Sequence, residues 1–233
     1  MMAVYKREIR MFLTTPLGYV IAGLLFVYLG IIFANNYGGG VASVSNVFAL
    51  CSIALFILIP FMTMRSFSEE KRLKTDQLLL TSSVKIKGIV LGKFFAVLTV
   101  IYVILCEFFI FNIIMSSYGK VDWVIFFGTY IGLLLLVAAL VSIGIFISSL
   151  TESQMIAALL TLLLFVILLF FEAMPVLLGF SFLSKYADFI GFNSRYQTFT
   201  KGIIDYSNIV YFVSVCALFN FLTVRVIDKK RWA

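Results

Sequence analysis

The sequence predicts an all-α integral membrane protein with six transmembrane helices, and two observations support this fold class. Hydrophobic residues make up 63% of the 233 residues and charged residues only 12%, whereas a soluble domain carries about 25% charged residues. The apolar residues also form long continuous runs, while the strands of a transmembrane β-barrel alternate in short segments. We therefore expect one membrane domain over residues 1–233.

Six apolar runs are long enough to cross a bilayer. About 20 mostly apolar helical residues cover a hydrocarbon core of about 30 Å. The predicted spans cover about residues 17–34, 44–64, 94–115, 124–150, 153–171 and 209–226.

The residues before the first span are predicted to form a basic amphipathic helix that lies in the headgroup layer. One helical face of residues 2–14 carries Met2, Tyr5, Ile9, Phe12 and Leu13. The basic side chains fall mainly on another face, which carries Lys6, Arg7 and Arg10. Pro16 then resets the chain direction before the first span.

Lysine and arginine are distributed unevenly between the two sides of the predicted bundle. With the N-terminus inside, 14 of the 18 basic residues lie on the cytoplasmic side. The four on the other side are Lys120, Lys185, Arg195 and Lys201. Because basic residues collect on the cytoplasmic side of membranes, the sequence predicts a multi-pass plasma-membrane protein with both termini in the cytoplasm.

Two longer segments between the spans do not cross the membrane. Residues 65–93, on the cytoplasmic side, combine a charged run at 69–72 with a short apolar patch at 78–80. Residues 175–207, on the outer side, mix charges with apolar stretches that are too short to span. We expect the outer segment to form short helices at or partly within the outer leaflet.

The residue types exclude several classes of function. Histidine is absent, and Cys51, Cys106 and Cys216 lie far apart in separate apolar runs, so neither a metal site nor a disulfide framework is predicted. No basic stripe with interleaved aromatic residues points to nucleic acid. We predict no catalytic residue, bound cofactor or metal in this chain.

The cytoplasmic segment carries a resemblance to a known family. Residues 65–81 (RSFSEEKRLKTDQLLLT), followed by Gly92 and Lys93, resemble the cytoplasmic loop of ABC-2 type permeases. In that loop an acidic and basic run precedes a Thr-x-x-x-Leu-Leu element, and a Gly-Lys pair opens the third span. Residues 148–157 resemble the family's turn between spans four and five, and residues 229–232 its C-terminal ending.

The resemblance covers essentially the whole chain and is closest to the gliding-motility-associated and nitrous-oxide-reductase-maturation type permeases. One departure is that Ser82 and Ser83 stand where family members often have proline, which implies a looser turn after the leucines.

The resemblance implies the permease subunit of an ATP-driven ABC exporter. Its partners would be a nucleotide-binding ATPase subunit, which binds ATP and Mg²⁺, a second copy of this chain or a related permease, and membrane lipid. A cytoplasmic coupling helix would dock on the ATPase subunit through Glu70, Lys71, Thr75, Leu78, Leu79, Leu80 and Thr81. Candidate residues of the translocation path are Tyr28, Phe48, Glu107, Met155 and Phe165.

The residues between Gly88 and Phe94 do not form a phosphate-binding loop. Such a loop has four residues between its glycines and Ser or Thr after its lysine, but this chain has three residues between Gly88 and Gly92 and has Phe94 after Lys93. We interpret these glycines, like Gly128 with Gly132 in span four, as small residues for close helix packing.

Several alternatives remain open from sequence. The leucines at 78–80 either fill a groove on a partner or fold back on the protein's own membrane-facing surface. Glu107 either makes a structural hydrogen bond or serves substrate passage, and Glu172 either reaches water or faces the protein. As a whole the chain is alternatively a non-transporting scaffold or assembly factor, or an ion-driven secondary carrier.

Overall fold

The computed structural model describes residues 1–38, 44–75, 85–116, 122–178, 191–203 and 205–232, and the regular structure in these ranges is α-helical. The helices of the described chain are, in order, α1 Met2–Thr14, α2 Pro16–Gly38, α3 Val44–Thr63, α4 Arg65–Arg72, α5 Ile86–Leu105, α6 Glu107–Ser116, α7 Trp123–Leu150, α8 Gln154–Leu178, α9 Phe192–Thr200 and α10 Tyr206–Trp232. The predicted all-α fold class is confirmed.

Six stretches of the described chain are long and apolar enough to cross a membrane, as predicted. They are Gly18–Asn35, Asn46–Arg72, Ile86–Ile114, Trp123–Leu150, Gln154–Glu172 and Tyr206–Lys229. The third differs from the predicted 94–115, because α5 begins at Ile86 and a turn at Cys106 separates it from α6. Lys93 can lie within this membrane-length stretch because its ammonium group forms buried ion pairs with Glu8 and Glu70.

Helix α7 is the centre of the bundle. Of its membrane-length stretch 78% is buried inside the protein, and it contacts α3, α4, α5, α8, α9 and α10. Its 28 residues rise about 42 Å, which exceeds the hydrocarbon core of about 30 Å. Both ends of α7 therefore extend to the polar layers, where polar contacts are stable.

A glycine sets the distance between α3 and α7. A Cβ atom built on Gly144 of α7 would overlap the Thr63 side chain, so the α7 backbone approaches that side chain more closely than any other residue at position 144 allows. The Thr63 hydroxyl is buried and donates to the Ile59 carbonyl oxygen of its own helix at 3.0 Å. It thus needs no partner on α7, and the contact there depends on shape alone.

The predicted glycine pair of span four packs within the chain, as expected. A Cβ atom on Gly132 would lie 2.6 Å from the Phe199 side chain, and one on Gly128 would lie 3.4 Å from Gly202 Cα. Between them the Thr129 hydroxyl donates to the Phe199 carbonyl oxygen at 3.2 Å. The pair therefore seats α9 on α7 at the end of the bundle opposite to α1.

The carboxylate of Glu172 faces the protein and binds the first turn of α9. Its Oε1 accepts from the Asn193 amide at 3.0 Å and its Oε2 from the Ser194 amide at 3.1 Å. The first amides of a helix lack partners within that helix and carry partial positive charge. Glu172 thus fixes the short helix of the segment between spans five and six.

The N-terminal amphipathic helix has the predicted bounds but is rotated about its axis. Its buried side chains are Val4, Glu8 and Phe12, whereas Met2 and Leu13, from the predicted apolar face, are exposed. The rotation places an acidic residue against the protein and leaves part of the apolar face uncovered.

The α3–α7 contact predicts opposite effects of one substitution at two glycines. G144A should lower the apparent Tm of the purified protein by several degrees, because overpacking costs about 1–3 kcal/mol. G23A should leave the Tm equal or slightly higher, because open space surrounds a Cβ there and alanine favours helix. Thermal unfolding of both variants in one detergent measures this, and equal Tm values would contradict the close contact.

A buried ion cluster as the candidate functional site

Two basic and two acidic side chains meet where α1, α4 and α5 converge. We call this end of the bundle, where the N-terminal helix α1 lies, the terminal end. The ammonium group of Lys93 lies 2.8 Å from Glu8 Oε1 and 3.0 Å from Glu70 Oε1. Arg7 forms ion pairs with both carboxylates, at 3.0 Å to Glu8 Oε1 and with Glu70 Oε1. We call Arg7, Glu8, Glu70 and Lys93 the ion cluster.

The inner part of the ion cluster is shielded from solvent. The side chains of Lys93 and Glu8 are each only 1% exposed. Lys93 also donates to the Ser66 carbonyl oxygen at 2.6 Å, and its ammonium group lies 5.0 Å from the centre of the Phe67 ring. Such contacts offset the cost of burying an ammonium group.

Two features of the sequence bring Glu8 close to Lys93. One is the spacing of the buried residues along α1, and the other is a glycine in α5. Val4, Glu8 and Phe12 are spaced by four residues, so they lie on one face of α1, which is the buried face. Gly92 allows α1 to approach α5, since a Cβ there would lie 3.1 Å from the Met1 carbonyl oxygen. With α1 this close, the side chain of Lys93 reaches Glu8.

A serine of α7 holds the first turn of α4. The Ser148 hydroxyl oxygen accepts from the amides of Phe67 at 3.1 Å and Ser68 at 3.2 Å, and the hydroxyl donates to the Met64 carbonyl oxygen at 3.0 Å. These amides lie in the first turn of α4, where a helix provides no partner of its own. The contact fastens α4 to the end of the central helix.

A second contact fastens α4 to α7 near the last turn of α4. The Lys71 ammonium group donates to the Ser149 carbonyl oxygen, and Lys71 is buried. A lysine beside free carbonyl groups at the end of a helix is a favourable arrangement. Together with Ser148, this contact fixes α4 at two points one turn apart.

The ion cluster joins α1, α4 and α5 through pairs of opposite charges. Burial alone would lower the pKa of the Arg7 guanidinium, but its hydrogen bond to Glu8 and the negative charges of Glu70 and Glu8 outweigh this effect and raise the pKa. Arg7 therefore keeps its positive charge and pairs with both carboxylates. Within the described residues no three His, Cys, Asp or Glu side chains form a group that could hold a metal ion.

The residues implied for coupling fall into two groups. Glu70 lies in the ion cluster, and Lys71, also on α4, bonds to the Ser149 carbonyl oxygen of α7. Exposed Thr75 lies just after α4, with its amide 2.9 Å from the Glu70 carbonyl oxygen. The remaining four, Leu78, Leu79, Leu80 and Thr81, lie outside the described residues.

The candidate path residues have different surroundings. Phe48 and Phe165 are buried in the protein, where Phe48 stacks on Phe108 with ring centroids 4.4 Å apart and Phe165 meets the edge of Phe56. The remaining three lie nearer to the surface. Tyr28 donates to the Leu50 carbonyl oxygen at 3.1 Å, Glu107 begins α6 after the turn at Cys106, and Met155 is 76% exposed.

Sequence reasoning missed Glu8 and Ser148 as site residues. The signal for Glu8 was an acidic side chain between two apolar ones at four-residue spacing, which is unusual on a face that packs against protein. Ser148 has no such signal, because serines are common in membrane helices and usually bond to their own backbone.

The ion cluster predicts that removal of the Lys93 charge alone lowers the stability of the protein. Additional removal of the Glu8 charge should restore part of that stability. K93M should destabilise the protein by about 3–5 kcal/mol, because it removes the buried cation that Glu8 and Glu70 share and leaves them only the half-exposed Arg7. The double variant E8Q/K93M should recover part of that loss. Thermal unfolding in detergent measures both, with K87M, at an exposed lysine of the same helix, as the matched control; equal Tm values for K93M and K87M would contradict the buried pair.

Comparison with known proteins gives this arrangement a family context. No curated protein matches the sequence. The sequence profile of the ABC-2 family of transporter proteins matches residues 2–230, a range that includes all four residues of the ion cluster and all six membrane-length stretches. Since the match extends over nearly the whole chain, the protein belongs to the ABC-2 transporter family and is a membrane component of such a transporter.

Proposed function

We propose that this chain is the permease subunit of an ATP-driven ABC exporter and that a separate nucleotide-binding subunit hydrolyses the ATP. One observation carries the proposal. Residues 76–84, which include the leucines implied for docking, join α4 to α5, and these two helices meet again in the ion cluster through Glu70 and Lys93. A partner that moves residues 76–84 therefore acts on both α4 and α5, and the ion pair between Glu70 and Lys93 makes these two helices move together.

In this proposal the terminal end of the bundle faces the cytoplasm, where ATP is available. The distribution of basic residues supports this orientation, since 14 of 18 fall on that side of the six-span arrangement.

The movement passes from α4 to the membrane helices by two routes. One is the buried ion pair of Glu70 with Lys93 on α5. The other is the pair of contacts from α4 to Ser148 and Ser149 on α7. Because α7 touches most of the other long helices, a shift of its end repositions the bundle as a whole.

The conformation of residues 88–94 supports hydrolysis in another chain. Gly88, Gly92 and Lys93 lie inside the continuous helix α5. A phosphate-binding loop needs backbone amides that curl round the phosphates, and within a helix those amides are already bonded. The Lys93 ammonium group is also occupied by two carboxylates.

A second permease copy, or a related permease, would complete the transporter. Large apolar side chains such as Met155, Leu159 and Leu163 leave one side of α8 exposed, and only 22% of its membrane-length stretch is buried. Lipid or a second membrane subunit covers such a surface. We propose that the translocation path forms where two copies meet.

Substitution of the loop leucines tests the docking step. Burial of one leucine side chain contributes about 1.5–3 kcal/mol, and a buried unpaired carboxylate costs more. L78D/L79D should therefore weaken the complex with the ATPase subunit by at least 100-fold, while the permease still inserts because no predicted span includes these residues. Co-purification of the ATPase subunit encoded with this permease measures the effect.

The matched control for this test is L78M/L79M, which keeps both side chains apolar and should keep the ATPase subunit bound. If L78D/L79D retained the subunit and its full ATP hydrolysis, these leucines would not dock it, and a scaffold or assembly role would be favoured.

A further inference from the structure

An apolar cavity of about 360 Å³ lies between α1, α2 and α5. Its walls are almost entirely apolar and include Phe12, Tyr19, Ala22, Val100, Val103 and Ile104. Ligand pockets in proteins commonly measure roughly 300–1,000 Å³. The cavity is open at one side, so an apolar group can enter it from the surrounding membrane.

A basic groove adjoins this cavity on the surface of α1. Its lining residues include Lys6, Arg7 and Arg10, and it shares Ile9 and Leu13 with the cavity. The groove therefore continues into the cavity across these two apolar side chains.

Two of the basic side chains are available for a ligand. Lys6 and Arg10 are exposed and lie one helical turn apart on the same face. Within the described part of the chain, neither makes a hydrogen bond or an ion pair. Arg7 differs, because its guanidinium is paired with Glu8 and Glu70.

The order of the two sites along the membrane normal matches that of a phospholipid. Lys93, in the ion cluster, marks the level at which Glu8 of α1 meets α5. Thr99, which lines the cavity, lies six residues further into the span, or about 9 Å deeper. Charge thus lies at headgroup level, and the apolar cavity lies at the level where acyl chains begin.

We propose that the groove and the cavity together bind one acidic phospholipid from the leaflet at the terminal end of the bundle. Lys6 and Arg10 hold its phosphate, one acyl chain passes over Ile9 and Leu13, and that chain enters the cavity between α2 and α5. Basic groups beside membrane helices attract acidic headgroups, while a zwitterionic lipid gains less from the two cations. The bound lipid fastens α1 to the first and third spans from the side opposite to the ion cluster.

Titration of the purified permease with lipid tests this site without any ATPase subunit, so the result is independent of the proposed transport function. The protein is delipidated in a neutral detergent and titrated with phosphatidylglycerol or with phosphatidylcholine of the same acyl chains. The shift in Tm and the lipid retained in native mass spectra are recorded. We expect a saturable rise in Tm and one retained lipid for phosphatidylglycerol, and at least tenfold weaker binding for phosphatidylcholine.

Three variants separate the parts of the site. K6Q/R10Q removes the headgroup contacts and should weaken phosphatidylglycerol binding at least tenfold. A22F fills the cavity and should weaken it to a similar extent without a change of charge, and V103F serves the same purpose if A22F does not fold. K87Q/K229Q removes two exposed charges elsewhere and should bind as the unchanged protein does.

Three outcomes would each overturn the proposal. Equal binding of both lipids would mean that no headgroup is recognised. An equal loss in K87Q/K229Q and K6Q/R10Q would mean diffuse attraction by net charge. Unchanged binding in the cavity-filling variant that folds would mean that no acyl chain enters between α2 and α5.

Discussion

The ammonium group of Lys93 is almost completely buried, and it is stable there only because two carboxylates and a carbonyl oxygen surround it. Moving an unpaired charge out of water costs several kcal/mol, so any rearrangement that separates Lys93 from its partners is strongly unfavourable. The partners come from different parts of the chain, since Glu8 lies on α1 and Glu70 and Ser66 lie on α4. The requirement of one charge therefore fixes the positions of two helices relative to α5.

The central helix is held differently at its middle and at its ends. In its middle, α7 packs through fully buried apolar side chains such as Leu136, Val137 and Leu140. At the terminal end Ser148 holds the first turn of α4, and at the opposite end Thr129 bonds to α9. Polar contacts at both ends therefore connect the short surface helices to one long helix.

Long-range patterns in the sequence predicted the fold well, because they average over many residues. Six apolar runs and the amphipathic period of residues 2–14 correctly gave the spans and α1, although α1 is rotated and α5 begins eight residues early. The family resemblance directed attention to Glu70, Lys71 and Lys93. Glu8 and Ser148 were not predicted as site residues, because each acts through contacts with residues distant in sequence, and no helical period encodes such contacts.

The central claim is that α4 passes movement to the membrane helices through its attachment to α7, and S148A tests it most directly. This variant removes the hydroxyl that holds the first turn of α4 and leaves every charge of the ion cluster in place. Its control is S142A, at a buried serine of the same helix whose hydroxyl partners are Ala139 of that helix and Cys216 of α10. The measurement is the ATP hydrolysis rate of the complex with the ATPase subunit, in lipid vesicles, with complex assembly verified. The account predicts a severalfold change in rate for S148A and none for S142A; equal rates for S148A and the unchanged permease, in equally assembled complexes, would contradict it.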